Sequence, residues 1–267
     1  MQTTRKDPEW VSLFARSDVH YRVSGMKDVR VRRNLLASRD LGEPLSFDLY
    51  VANSLQATRL APVVVLIHGG PISPDWVTRP RQWRAFQSIG EVLAASGLSA
   101  VIFDHRFHSR EETGPAIYDI ELVLSHIGAN AAELGVDGSR IGLWAFSRGG
   151  IFLARYLRDP PASLRCLVAF YAALDADKPE LSSACQIEAS AGRLPPMLVA
   201  AAGLEDVQGF KEGLGQFVNA ALRKNFPLDL MIHGRGRHGF DVLDDDGRTR
   251  EILGRTIQFL KNHLGTH

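Results

Sequence analysis

Cysteine is almost missing from this chain: 267 residues carry two, Cys166 and Cys185. So sparse a pair forms neither a disulfide framework nor a metal-ligand spacing, which excludes stapled secreted scaffolds and zinc ribbons and fits free thiols in a cytoplasmic protein. A surplus of either charge is missing too, since 31 Lys and Arg against 30 Asp and Glu leave a net +1. Nucleic-acid and membrane-surface partners, which need a basic footprint, are therefore not expected. Long apolar runs are absent as well. Stretches such as Val63 to Ile67 and Met197 to Ala202 fall far below the ~20 residues of a membrane span. The first residues, MQTTRKDPEW, have basic side chains but no apolar stretch behind them, so no export signal is expected. With no repeat, low-complexity segment or long Pro/Gly-rich linker, one domain over 1–267 is the simplest organisation.

What the chain does have is the balance of a globular enzyme, 45% hydrophobic and 23% charged. Short apolar runs alternate with helical patterns, the sequence form of a mostly parallel, doubly wound sheet. Strands are predicted at Val29 to Leu36, Leu45 to Val51, Pro62 to His68, Ser99 to Asp104, Arg140 to Ala145, Leu164 to Phe170, Pro196 to Ala202 and Leu228 to His233. Apolar residues recur at helical spacing through Trp83, Phe86, Ile89 and Leu93, then through Ile117, Ile120, Leu124 and Ile127. Ile252, Leu253, Ile257, Leu260 and Leu264 form the face of a closing helix. Two stretches break the rhythm: residues 1–20, an extension with a short amphipathic helix around Trp10 and Phe14, and residues 173–194, too short for more than a minimal cap.

The chemistry-bearing residues fall at the ends of these strands. Ser147 lies in Ala145-Phe146-Ser147-Arg148-Gly149, between an apolar strand and a helix-forming run. A serine in so sharp a turn projects its hydroxyl above the sheet and needs small neighbours two places before and after it, here Ala145 and Gly149. The Arg148 backbone N–H then points to where an oxyanion would form. His68-Gly69-Gly70-Pro71 closes another strand; its glycines let backbone approach a bound carbonyl, and Gly70 is the favoured second donor, because Pro71 has no N–H. His68 reads as a loop-shaping residue. Acyl transfer by serine also needs a base and an acid, which in this kind of fold follow in the order nucleophile, acid, histidine. Of nine histidines, His238 is favoured over His233 because it lies in a loop between the last strand and the final helix. Asp206, after the strand ending at Ala202, is the expected acid, with adjacent Glu205, or Asp175 or Asp177 after the preceding strand, as alternatives. Gly69, Trp76 and Phe107 are expected to touch substrate, with Arg106 and His108 as further neighbours placed by position alone.

Together the HGGP loop, the run Gly135-Val136-Asp137 through Arg140-Ile141-Gly142 to Gly150, and His238-Gly239-Phe240 resemble the dienelactone hydrolase and prolyl-oligopeptidase-like branch of the α/β-hydrolases, over about Leu45 to Leu264. The resemblance implies an α/β-hydrolase fold with an eight-stranded sheet, a minimal cap and a serine hydrolase acting on carboxylic esters without metal or organic cofactor. Dienelactone hydrolases use cysteine where this chain has Ser147, and the short N-terminal part leaves no room for a propeller domain. Amidase, peptidase or thioesterase activity on the same fold is the alternative within enzymes; a catalytically inactive binding protein is the alternative outside them. The expected partner is a small ester substrate, with a homodimer left open.

Overall fold

The structure is a computed structural model, and it describes residues 7–39, 43–52 and 60–266. In chain order its elements are α1 (Glu9–Arg16), β1 (Arg30–Ser38), β2 (Leu45–Val51), β3 (Ala61–Ile67), α2 (Arg84–Ala95), β4 (Ser99–Phe103), α3 (Gly114–Ala129), α4 (Ala131–Leu134), β5 (Val136–Phe146), α5 (Ala154–Arg158), β6 (Leu164–Phe170), α6 (Ser183–Ala189), β7 (Met197–Ala202), α7 (Phe210–Arg223), β8 (Leu228–His233), α8 (Phe240–Leu243) and α9 (Gly247–Leu264). Every predicted strand is present within a few residues of its expected ends. β5 begins earlier than expected because Val136 and Asp137 pair with Ala61 and Pro62 before the register shifts at Val63 and Ile141.

The eight strands form a sheet in the order β1-β2-β4-β3-β5-β6-β7-β8. β2 runs antiparallel to β1 and β4; the remaining pairs are parallel. Because side chains alternate across a strand, β3 feeds two cores at once. Val63, Val65 and Ile67 join Phe103, Ile120, Leu153 and Phe217 on the face covered by α3, α5 and α7. Val64 and Leu66 join Phe86, Trp144, Phe170 and Leu260 on the face covered by α2 and α9. Both faces are therefore dry, which explains why the strands read as apolar runs without polar alternation. α9 starts where Asp246 accepts a hydrogen bond from the Thr249 N–H and ends at Gly265, whose positive φ closes the last turn.

The strand order also fixes where a ligand can bind. After β3 the chain crosses to one side for β4, then to the other for β5, so the connections part above the carboxyl ends of β3 and β5. That parting leaves a crevice, the usual site in open α/β sheets. Helix α1 braces its two banks. The Trp10 ring lies 5.4 Å from Trp76, in the loop after β3, and the Phe14 ring packs against Gly239, beside His238. The Asp7 carboxylate accepts from the Val77 N–H at 2.7 Å and the Thr78 hydroxyl at 2.8 Å, fastening the same loop. The stretch 173–194 holds one short 3-10 turn and α6, with no long helical insertion.

Gly239 has φ +85°, and a Cβ there would lie 2.6 Å from Phe14 Cζ. Gly239→Ala is expected to lower stability by about 1–2 kcal/mol from the left-handed backbone alone, and to push Phe14 off the loop. Urea unfolding of the two proteins measures this, with a raised or unchanged midpoint counting against it.

Candidate active site

Ser147 sits directly after β5 with φ 51°, a left-handed conformation that side chains rarely adopt. Such strain persists only where the surroundings impose it. Here the next turn is pressed against neighbouring backbone: a Cβ on Gly149 would lie 2.3 Å from the His68 carbonyl oxygen, and one on Gly150 would lie 2.5 Å from that of Ala173. Ala145 is fully buried, and the Ala173 N–H donates to the Ser147 carbonyl at 3.0 Å. The segment after Ser147 is a 3-10 helix to Leu153, and α-helix only from Ala154, where the sequence predicts helix throughout. Two successive glycines weaken α-helix there and allow the tighter turn.

The HGGP loop lies against this turn. A Cβ on Gly69 would be 2.7 Å from Ser147 Cβ and 3.2 Å from its Oγ, so Gly69 is what lets the two segments touch. Its role is close approach by backbone. Among the described residues, neither the Gly70 nor the Arg148 N–H donates to another protein atom, so both remain available to an oxygen above Ser147. His68 shapes the loop through a buried pair. Its ring stacks on His105 at 3.6 Å, its Nδ1–H donates to the Gly69 carbonyl at 2.5 Å, and its Nε2 accepts from the His105 N–H at 3.2 Å. Burial lowers the His68 pKa to about 4 and takes that of His105 well below the ordinary value, so both rings are neutral near pH 7.

His238 reaches over the sheet edge from the loop after β8, and its Nε2 stands 2.8 Å from Ser147 Oγ. Its Nδ1 faces the carboxylate of Glu205, at 2.8 Å from Oε2 and 3.0 Å from Oε1. This corrects the expected acid: Asp206 is exposed and turned away, and Glu205 is 6% exposed against the imidazole. The turn after β7 decides between them. The Glu205 N–H donates back to the Ala202 carbonyl at 3.3 Å, and Glu205 Oε1 accepts from the Val207 N–H at 3.0 Å, which turns residue 205 inward and its successor to solvent. Asp175 and Asp177 line a cavity instead of meeting the base. His233 is buried and packed, with Nε2 3.1 Å from the Thr249 hydroxyl.

The expected substrate contacts divide. Trp76 does not line the cavity beside Arg148; it packs on Trp10, a partner that its position after β3 could not reveal. Phe107 borders that cavity but is fully buried, 2.8 Å from where a Gly70 Cβ would stand, so it supports the donor loop from below. The Arg106 guanidinium is held by the Asp119 carboxylate, and His108 Nδ1 meets the Ile72 carbonyl at 2.8 Å; both are braces. Sequence reasoning missed three residues around His238. Phe210 and Tyr171 set their rings 5.6 and 4.8 Å from the imidazole, and the Tyr171 hydroxyl donates to the buried Asp241 carboxylate at 2.9 Å. The one available signal was an acid three residues after His238.

This architecture and strand order make the chain an α/β-hydrolase-fold protein. The BD-FAE family model matches residues 47–156, a span holding the HGGP loop and Ser147 but neither Glu205 nor His238. No curated protein matches the chain. Among solved structures it is similar to a truncated carbohydrate esterase from gut microbiota, at 15% identity and TM-score 0.71, over 89% of this chain and 97% of that one. It is also similar to esterase LipW from Mycobacterium marinum, at 21% identity and TM-score 0.68, over 88% and 82% of the two chains. A third is Thermogutta terrifontis esterase 2 phosphorylated by paraoxon, at 17% identity and TM-score 0.70, over 89% and 95%.

Two measurements follow from the acid's geometry and from Asp241. Glu205→Gln should lower kcat by on the order of 1,000-fold or more on a 4-nitrophenyl ester, as loss of a triad carboxylate does elsewhere, whereas Asp206→Asn should stay within about twofold. The reverse pattern would restore Asp206 as the acid. Burial, opposed by the Tyr171 hydroxyl, pushes the Asp241 carboxyl up to about 6. The folded chain then holds this proton more tightly than the unfolded chain, so the group's stability is present at pH below 4 and is lost as pH rises through 6. Urea unfolding at pH 4 and pH 7 should show Asp241→Asn gaining on the wild type as pH rises, by up to roughly 3 kcal/mol for a shift of this size.

Proposed function

We propose that the protein is a serine hydrolase of carboxylic esters, with Ser147 as nucleophile, His238 as base and Glu205 as acid. The observation that carries this reading is the unbroken line from the Ser147 hydroxyl through both nitrogens of His238 to the Glu205 carboxylate, with contacts of 2.8 Å at each end. With Nδ1–H donating to Glu205, Nε2 is unprotonated and faces the hydroxyl proton. Ser147 Oγ attacks the ester carbonyl carbon as its proton passes to Nε2. The carbonyl oxygen, now carrying the negative charge, takes the N–H groups of Gly70 and Arg148. Collapse breaks the bond to the alcohol oxygen, which leaves with the proton from Nε2, and an acyl-serine remains. Water then attacks that acyl carbon, giving its proton to the same nitrogen, and the acid departs as Ser147 recovers its hydroxyl.

Esters are favoured over amides as the substrate class by the similar structures, which are esterases, one of them phosphorylated by paraoxon. No helix among the described residues is long and apolar enough to cross a membrane.

Ser147→Ala should lower hydrolysis of 4-nitrophenyl butyrate by at least about 10⁴-fold, the scale of nucleophile loss in serine hydrolases, with the melting temperature preserved. A fluorophosphonate probe should label the wild type and not the variant. Wild-type protein that stays unlabelled, or a variant with full activity, would remove Ser147 from the reaction.

A further inference from the structure

A cavity of about 860 Å³, with Arg148 of the Ser147 turn in its wall, opens between the segments around residues 110, 177 and 208. Ile151, Leu181, Val207 and Phe210 give it apolar walls, and two arginines, Arg110 and Arg148, line it as well. Arg148 is the deeper. Its guanidinium carbon stands 5.3 Å over the Phe210 ring, and that ring lies 5.6 Å from His238, so a fixed cation sits one aromatic ring away from the base.

Of the other half-buried arginines, Arg81 meets Asp48, Arg84 meets Glu91, Arg106 meets Asp119, Arg140 meets Asp137 and Arg248 meets Glu251, while Arg32 and Arg79 donate to backbone carbonyls. Half-buried Arg148 and exposed Arg110 have neither kind of partner among the described residues. Among the described residues, no carboxylate lies within 4.0 Å of either guanidinium. The charge that acts on Arg148 is that of Arg110, and burial together with this like-charged neighbour lowers its pKa. Three acids line the same cavity without forming an ion pair with either arginine, although the charge of Arg110 is felt by Glu111. Glu111 accepts from the Ser109 hydroxyl, and Asp175 and Asp177 pair with neither arginine. The third cation, Lys178, is exposed and directs its Nζ to the Glu111 carbonyl at 3.4 Å.

Two guanidiniums lining one cavity without a paired carboxylate repel each other, and the half-buried Arg148 is also poorly hydrated. A carboxylate placed between them relieves both costs, because its two oxygens match the guanidinium fork. The geometry points to Arg148 and Arg110 as a clamp for a substrate carboxylate, so that the preferred esters carry a second, ionised carboxyl group joined to the reacting ester by a short hydrocarbon segment. This assignment rests on the ester-hydrolase reading above and adds to it the class of substrate. The apolar walls would take the hydrocarbon and the arginines its charged end.

The test compares kcat/KM within two matched pairs, one for each side of the ester bond. 4-Nitrophenyl hydrogen glutarate against 4-nitrophenyl valerate places the charge on the acyl part; 4-acetoxybenzoate against phenyl acetate places it on the alcohol part. In one of the pairs the anionic ester should be favoured by roughly 10- to 100-fold, the scale of a charge-assisted hydrogen bond. Arg148→Gln and Arg110→Gln should each draw that ratio towards one, and Arg148→Lys should recover part of it. Neutral esters preferred in both pairs, or a preference that survives both glutamine substitutions, would overturn the clamp. Should no ester be turned over, the hydrolase reading itself fails, and calorimetry with the wild type then decides the clamp. Monomethyl glutarate should bind at least tenfold tighter than dimethyl glutarate, and equal affinity would overturn it.

Discussion

Backbone pressed on backbone, where the turn after β5 meets the loop after β3, is the contact on which the rest of the site depends. Gly149 faces the His68 carbonyl with no space for a methyl group, and Gly69 lies against Ser147 itself. This proximity holds the serine in a conformation it would not choose. Neither loop could do this alone. Parallel pairing of β3 with β5, from Val63 and Ile141 to Ile67 and Ala145, sets the two loop origins side by side.

The other two residues of the constellation arrive from β7 and β8, further along the same sheet edge. Their precision comes from packing more than from strand geometry. The His238 imidazole is walled by Tyr171 and Phe210, and its loop is pinned by the Phe14 ring at Gly239. Helix α1 thus acts at both ends of the crevice, through Trp10 on the side of the HGGP loop and Phe14 on the side of His238.

Much of this was legible in the sequence because it depends on local chemistry. Buried parallel strands must be apolar throughout, so eight apolar runs announced eight strands. Ser147 and His238 stand in short motifs whose flanking glycines have steric reasons, and the structure places their side chains 2.8 Å apart. The acid was harder. Glu205 and Asp206 are adjacent carboxylates, and the hydrogen bonds of one turn, invisible in composition or periodicity, decide which faces inward. The packing of Trp76 was hidden for a similar reason: its partner, Trp10, lies 66 positions earlier, and nothing local joins them. Tyr171, Phe210 and the unpaired state of Arg148 are likewise products of distant segments meeting.

The stacked imidazoles of His68 and His105 have an experimental consequence. Kept neutral by burial and locked by two hydrogen bonds that His105 donates to His68, they give the HGGP loop a scaffold indifferent to acidity across the working range. A rate profile against pH would therefore carry no inflection from that loop between pH 5 and 9. Any inflection found in that interval would report on the reacting groups, on Asp241 behind Tyr171, and on whatever the substrate itself brings.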